Sequence, residues 1–480
     1  MAKEKNFYIT TTLPYVNSDP HIGFAMEIIR ADVISRFKAH QAFEVFFNTG
    51  TDEHGQKIFQ KAGEASVDVQ EYVNGYAEKF KDLIPLLGIS EDIHFVRTTD
   101  KHHVEAAQEF WKRCAANGDI YKKYYTIHYC VGCELEKTDS ELENGKCILH
   151  PNLELEVREE ENYFFTFSKY QKPLQDHYAL YLDFVTPDFR FNEIKSFVER
   201  GLEDFSISRL KAKMSWGVPV PGDDDHVMYV WFDALVSYIS TLGWPENEEN
   251  FEKFWTNGTP VQYAGKDNLR QQSAMWQAML MSAKLPLSKN IVINGFINSK
   301  GQKMSKSLGN VISPQEVVEK YSKDALRYFV CRELSNFEDS DFTWERMDEA
   351  YNANLANGIG NLTSRIMTMS EKNLEGPIEI KDEKFPEAYI NALENFKIAE
   401  AANIIWEKIA EMDRRIQETE PFKLIKTDED KAKKIIRELV VDLYTVARIL
   451  APIMPDTSLR IIELVKTNKK PETPLFLRKD

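Results

Sequence analysis

Thr10-Thr-Thr-Leu-Pro-Tyr-Val-Asn-Ser-Asp-Pro-His-Ile-Gly-Phe24 follows a short β-prone run, Phe7-Tyr8-Ile9, and precedes a helical pattern. In that pattern Ile28, Ile29, Val33, Ile34 and Phe37 recur at three- and four-residue spacing, interleaved with Glu27, Arg30, Asp32 and Arg36. Ser18, Asp19 and Pro20 are start signals for the helix. A strand that turns into a helix N-terminus presents unpaired backbone N–H groups and a positive dipole end, which suits a phosphate. His21 adds donors there, and Gly23 admits close approach to the backbone. From these residues alone, a nucleotide site and an ordinary strand–turn–helix are equally open.

A chain of 480 residues is long enough for several domains and a large core. Hydrophobic residues make up 43% and charged residues 28%, which places it among globular proteins rather than disordered ones. There is no apolar run of about 18 residues, and Met1-Ala-Lys-Glu-Lys-Asn6 lacks a signal or transit pattern. A cytosolic location is expected. The net charge of −16 argues against indiscriminate nucleic-acid binding but leaves room for a local basic face.

Residues 1–118 alternate strands and helices. Phe43-Glu-Val-Phe-Phe47 reads as a second strand ending in the loop Asn48-Thr-Gly-Thr-Asp-Glu-His-Gly55, with helices from about 56 to 88 and about 100 to 117. This alternation predicts a parallel sheet covered by helices. Ligands in such folds bind at the carboxyl ends of strands, where both loops belong. Asp52, Glu53 and His54 each have a plain reading as a helix cap or a solvated side chain beside the functional one.

Residues 119–225 change texture and read as an insertion. They hold Cys130-Val-Gly-Cys133 and Cys147-Ile-Leu-His150, two knuckles separated by thirteen residues. Three thiolates and one imidazole at that spacing close a tetrahedral zinc sphere and leave no position for a substrate. The site is therefore expected to be structural, with one zinc per chain. Cys114 and Cys331 lie far away in sequence and read as core residues.

The α/β texture returns over 226–300. Val227-Met-Tyr-Val-Trp-Phe232 reads as a buried parallel strand. Val261-Gln-Tyr-Ala264 is a further strand, followed by Gly265-Lys-Asp-Asn268 opening a helix, and Ile291-Val-Ile-Asn-Gly-Phe296 is another. Trp231, Tyr238 and Trp276 taken alone are core aromatics. In the linking region 301–350, Gly301-Gln-Lys-Met-Ser-Lys-Ser-Leu-Gly-Asn310 is a cationic loop able to close on a polyphosphate, with lysine as a mobile point charge. Residues 351–480 are helical almost throughout and predict an α-helical bundle.

His21-Ile-Gly-Phe24 and Lys303-Met-Ser-Lys-Ser307, both on strand-ending loops of a split α/β domain, resemble the two signatures of class I aminoacyl-tRNA synthetases. Leu13-Pro-Tyr15, Thr51-Asp-Glu-His-Gly55, Val230-Trp-Phe-Asp-Ala234 and Gly265-Lys-Asp267 are similar to the methionyl-tRNA synthetase family, as is the insert with three cysteines and one histidine. The motifs run in the family's order through nearly the whole chain, and the insert is of its one-zinc, bacterial type.

The resemblance implies a Rossmann-like catalytic domain split by a zinc-containing insertion, followed by an α-helical anticodon-binding domain. It implies that methionine is activated with ATP to the adenylate and then joined to the 3′ end of tRNA(Met), for protein synthesis including initiation. His21, Lys303 and Lys306 become the catalytic residues. Gly23, Gly265 and Asp267 join them on ATP with Mg²⁺. Leu13, Tyr15, Asp52, Trp231, Ala234, Tyr238 and Gln272 map onto the methionine pocket, with Asp52 facing the α-ammonium. Asn354, Arg365 and Phe422 align with positions that read the anticodon, and Phe422 stands where the family usually has tryptophan. The resemblance also implies that misactivated homocysteine is cyclised within the same site, which is compatible with an insert too short for a separate editing domain. With no appended tRNA-binding domain after the bundle, a monomer is expected.

Departures also stand out. Phe24 replaces the second histidine of the HIGH signature and cannot donate to phosphate. Gln272 falls where the pocket usually presents a histidine, and Asn268 replaces an aliphatic neighbour. A cysteinyl synthetase is one rival, but it carries its zinc in the amino acid site. A catalytically silent tRNA-binding paralogue is the other, opposed by the presence of His21, Asp52, Lys303 and Lys306.

Overall fold

The computed structural model describes residues 5–479 except 134, 138–141, 305–308, 381 and 383; for residues 125, 127, 135, 136, 158–160 and 303 it describes the backbone alone. The chain forms two compact units. One comprises Met1–Pro20, Ala42–Asp82 and Asp92–Ile293, the other His21–Gln41, Leu83–Glu91 and Asn294–Asp480.

The first unit is built on a six-stranded sheet. Its strands, in chain order, are β1 (Asn6–Thr11), β2 (Glu44–Thr51), β3 (His94–Arg97), β4 (Val185–Thr186), β5 (Thr259–Gly265) and β6 (Asn290–Asn294). Across the sheet the order is β3-β2-β1-β5-β6-β4. β1 pairs in parallel with β2 and β5, β2 with β3, and β4 with β6. All six residues of β1 are buried, as expected of a strand covered on both faces. The strand order reverses at β1, so the carboxyl ends of β1, β2 and β5 flank a topological switch point, where such sheets bind ligands.

The expected parallel α/β architecture is present, with differences in detail. β2 runs through Thr51, so Asn48–Thr51 belong to the strand rather than to the loop after it. Val227–Phe232 is not one buried strand. His226–Met228 pair antiparallel with Ser208–Leu210, and Val230–Ala234 form a short helix. The apolar run is core in both halves, which is why hydrophobicity alone reads as a strand. Inside the expected insertion, Ile120–Cys130 and Glu156–Phe165 form a long antiparallel pair. Val185–Thr186, within the same segment, joins the edge of the main sheet. Cys114 is buried in the core of this unit.

The second unit is mainly helical. Its helix Ile22–His40 buries 14 of its 19 residues, among them Glu27, Arg30 and Asp32. The interleaved charges are thus internal anchors. Arg30 donates to the backbone carbonyls of Val330, Ser335 and Asn336. Asp32 accepts from Arg327, Arg36 and Ser90. Toward the C-terminus come Asn361–Asn373, Ile398–Thr419, Glu429–Leu450 and Pro455–Thr467, with apolar faces turned inward. Breaks fall at Phe396 and Glu420, both with positive φ; the first separates the helices Glu387–Glu394 and Ile398–Thr419, and the second ends the latter. Cys331 is also buried.

Candidate active site

In the first unit, backbone bonding joins the loop after β1 to the end of β2. Tyr15 and Asp52 form a parallel bridge, Val16 N donates to the Asp52 carbonyl at 3.2 Å, and Asp52 N donates to the Pro14 carbonyl at 3.0 Å. Leu13 is buried, whereas Tyr15 and Asp52 are half-buried. Pro14 cannot donate, and its carbonyl serves as the acceptor that fixes Asp52.

Glu53 and His54 neither cap a helix nor face solvent. Glu53 is fully buried and accepts a forked pair from Arg97, at 2.7 and 2.9 Å, together with Thr51 Oγ1 at 2.6 Å and Thr99 Oγ1. His54 Nδ1 lies 2.9 Å from Asp233 Oδ2. Burial pushes the Asp233 carboxyl above its ordinary value, and His54 opposes that shift. This contact ties the Asp52 segment to the helix Val230–Ala234, on which Trp231 and Ala234 are half-buried. Of the three aromatics read as core, Tyr238 and Trp276 are core and Trp231 is not.

The segment bearing Tyr238 is held from β1 by Tyr8 Oη, which donates to the Tyr238 carbonyl at 2.9 Å. Gln272 Nε2 donates to Tyr238 Oη at 2.5 Å. Gln272 sits in a wide π-turn, Gln271–Met275, rather than in a regular helix. Gly265 closes β5, and Asp267, one turn on, is exposed beside Asn268. The unit therefore gathers Leu13, Tyr15, Asp52, Gly265 and Asp267 at the carboxyl ends of β1, β2 and β5, with Trp231, Ala234, Tyr238 and Gln272 bound into the same framework.

In the second unit the helix Ile22–His40 is capped by His21, not by Ser18 or Asp19. Asp19 instead pairs with Lys79 in the first unit. His21 Nδ1 accepts from Gly23 N at 3.0 Å. That bond assigns the neutral ring's proton to Nε2, which makes Nε2 a donor. Gly23 has a physical reason to be glycine, since a Cβ there would lie 2.8 Å from His21 Cε1. The close approach is made by the chain's own imidazole. Phe24 stands half-buried in the first turn.

Lys303 ends a short strand, Gln302–Lys303, that pairs antiparallel with Ile297–Ser299. The turn before it is tight, with Lys300 and Gly301 both at positive φ and Gly301 N donating to Asp341 Oδ1. Lys306 and Ser305, Ser307 and Leu308 lie outside the described residues. Arg365 pairs with Asp413 on a neighbouring helix, and Asn354 is half-buried just before the kink at Gly358. Phe422 follows Pro421 after the left-handed residue Glu420, and its ring is 47% exposed.

Cys130, Cys133, Cys147 and His150 come together as expected. Their ligand atoms all lie within 4.8 Å of one another. Cys133 Sγ is 3.1 Å from His150 Nδ1 and 3.4 Å from Cys147 Sγ. Zinc bonds of roughly 2.0–2.3 Å arranged tetrahedrally need such spacings. Gly132 makes room, because a Cβ there would meet the His150 ring at 2.6 Å. Burial pushes the Cys133 thiol up to about 12. Burial also opposes ionisation of Cys147, but hydrogen bonds from Cys133 and the Leu149 and His150 backbone outweigh it and lower its value. The donor set fits zinc. No helix among the described residues is long and apolar enough to cross a membrane.

Comparison with known proteins agrees with this architecture. The family described as tRNA synthetases class I (M) matches residues 7–147 and 131–367. A methionine–tRNA ligase of Thermotoga maritima is 41% identical, over 97% of this chain and 76% of that protein. One from Synechocystis is 38% identical, over 95% of this chain and 89% of that protein. The solved structure of Mycobacterium tuberculosis methionyl-tRNA synthetase in complex with methionyl-adenylate superimposes with a TM-score of 0.91 at 34% identity, covering 99% of this chain and 100% of that one.

Proposed function

This chain belongs to the methionyl-tRNA synthetase family of class I aminoacyl-tRNA synthetases, and from that membership we infer that it is a methionine–tRNA ligase. The methionine carboxylate attacks the α-phosphorus of ATP, a new P–O bond forms, and the α–β bridge breaks to release pyrophosphate. A ribose hydroxyl at the tRNA 3′ end then attacks the activated carbonyl and AMP departs. No covalent nucleophile of the protein is required. The chain contributes positioning and charge stabilisation.

We assign the α-ammonium of methionine to Asp52, and its thioether to the surface made by Leu13, Tyr15, Trp231, Ala234 and Tyr238. A polarizable sulfur suits aromatic walls. Gly265 and Asp267 hold the adenosine part, with Asp267 on the ribose hydroxyls. His21 Nε2, with the amides of the helix start, meets the phosphates, and Lys303 and Lys306 neutralise the pyrophosphate side. ATP enters as its Mg²⁺ complex. Zinc held by Cys130, Cys133, Cys147 and His150 supplies a cross-link for the insert and takes no part in the reaction. Asn354, Arg365 and Phe422 contact the anticodon.

The observation that carries this reading is the convergence of Leu13, Tyr15, Asp52, Gly265 and Asp267 on the carboxyl ends of three adjacent strands at the switch point. The test is aminoacylation of a tRNA transcript bearing a CAU anticodon. Methionine should become esterified to its 3′ end in an ATP-dependent way, and failure to charge any transcript would overturn the assignment.

A further inference from the structure

Asp52 is held on one side by the loop after β1, through Val16 N and the Pro14 carbonyl. The hold on its other side comes from much farther along the chain. Glu53, the next residue, is fully buried, and its backbone carbonyl accepts from Trp216 Nε1 at 2.6 Å. An indole N–H only donates and a carbonyl only accepts, so the direction of this bond is fixed. The Trp216 ring also stands against His54, with centroids 5.6 Å apart and planes at 59°. His54 in turn meets Asp233. Trp216 and Asp233 flank the strand His226–Met228 and belong to one frame. Met228 N donates to the Val218 carbonyl at 2.7 Å, and Val220 N donates to the His226 carbonyl at 3.2 Å. Gly217 rests on the same strand, since a Cβ there would lie 3.2 Å from the Val227 side chain. Trp216 is thereby carried on a braced segment rather than on a free loop.

We propose that Trp216 is a positioning residue for methionine: its indole N–H fixes the Glu53 carbonyl and so sets where the Asp52 carboxylate meets the α-ammonium. This rests on the assignment of Asp52 to that ammonium. Without the bond a buried carbonyl is left unsatisfied, and the chain relieves this by turning the Glu53 peptide unit, which moves the residue joined to it. The attraction between a carboxylate and an ammonium falls with their separation, and a displacement of about 1 Å in a site is felt in binding. The bond bears on the ammonium end of the substrate, which makes its loss distinguishable from a general loosening of the pocket. Trp216 lies within residues 119–225, the segment that carries the zinc knuckles, so that segment serves the amino acid as well as the metal.

The test uses two variants and two substrate analogues. Trp216→Phe keeps an aromatic ring and removes the donor. Trp216→His removes the benzene ring and keeps a donor, because its Nε2 stands at the same bonded distance from Cγ as the indole nitrogen. Methioninol keeps the ammonium and lacks the carboxylate, whereas the desamino analogue of methionine keeps the carboxylate and lacks the ammonium. Both are measured as competitive inhibitors of methionine-dependent ATP–pyrophosphate exchange. In Trp216→Phe the inhibition constant of methioninol and the KM for methionine should rise roughly three- to tenfold. Inhibition by the desamino analogue, the KM for ATP and kcat should stay near those of the unmodified chain. Trp216→His should bind methioninol within about twofold of the unmodified chain, since its donor remains. Unchanged methioninol inhibition in Trp216→Phe would overturn the proposal. So would equal weakening of both analogues, the result of a merely structural role, or a Trp216→His variant as impaired as Trp216→Phe. Absence of methionine-dependent exchange in the unmodified chain would instead overturn the function on which the role of Trp216 depends, and that role with it.

Discussion

His54 Nδ1 lies 2.9 Å from Asp233 Oδ2, with both side chains buried, and this contact links the segment that carries Asp52 to the helix that carries Trp231 and Ala234. Leaving one member of such a pair unsatisfied costs roughly 1–3 kcal/mol. His54→Ala should accordingly raise the KM for methionine several-fold, with a smaller change in kcat, because it loosens the pocket without touching the phosphates. Steady-state pyrophosphate exchange measures both. An equal fall in kcat with KM unchanged would count against the link.

Gly23→Ala places a Cβ against the His21 ring. The imidazole must leave its capping position on Gly23 N, which exposes the helix N-terminus and moves Nε2. Loss of such a cap costs about 0.5–2 kcal/mol. The activation rate should fall, KM for ATP should rise, and methionine affinity should be preserved. Equilibrium methionine binding together with exchange kinetics checks the split.

Asp32 gives the second unit a pH dependence of defined sign. Burial works against its charge, but Arg327, Arg36 and the bonds from Ser90 outweigh burial and hold its carboxyl below the ordinary range. A depressed acid stabilises the fold above its unfolded value, and that contribution is lost as pH falls through and below about 4. Asp32→Asn leaves the buried Arg327 without its counter-charge and should cost roughly 3–5 kcal/mol at neutral pH. The variant should also lose less stability than the parent on acidification, as read by denaturant unfolding at several pH values.

Removing the metal should act on the insert rather than on the chemistry directly. Elemental analysis should give one zinc per chain, and Cys147→Ser should lose it. Because ligand binding and local folding are coupled, the antiparallel pair Ile120–Cys130 and Glu156–Phe165 should become more susceptible to protease. A well-folded sample with far less than one equivalent of zinc would refute the closed site.

Phe422→Ala should separate the two half-reactions. A ring that is 47% exposed contributes little to the core, and base stacking on an aromatic side chain is worth roughly 1–3 kcal/mol. Pyrophosphate exchange should be unchanged, while the KM for tRNA in aminoacylation rises about fivefold or more. Reduced exchange would show that Phe422 serves the fold instead.

Much of this was legible in the sequence because the chemistry is local. The zinc knuckles, the loop after β1 and the end of β2 each compress their residues into a few positions, and the structure keeps them together. What escaped depends on long-range pairing. His54 and Asp233 are 179 positions apart, and nothing near either one announces the other. Val227–Phe232 read as a strand because an apolar run says buried and not which backbone. Asp19 looked like a cap because short polar side chains before a helix usually are, whereas His21 does the capping through its own ring.

Methionine activation by this chain is read by ATP–pyrophosphate exchange with methionine as the sole amino acid. Exchange should depend on methionine and stay at background with cysteine or isoleucine. No exchange above background with methionine, in a sample that still binds tRNA, would contradict it and leave a catalytically silent tRNA-binding protein.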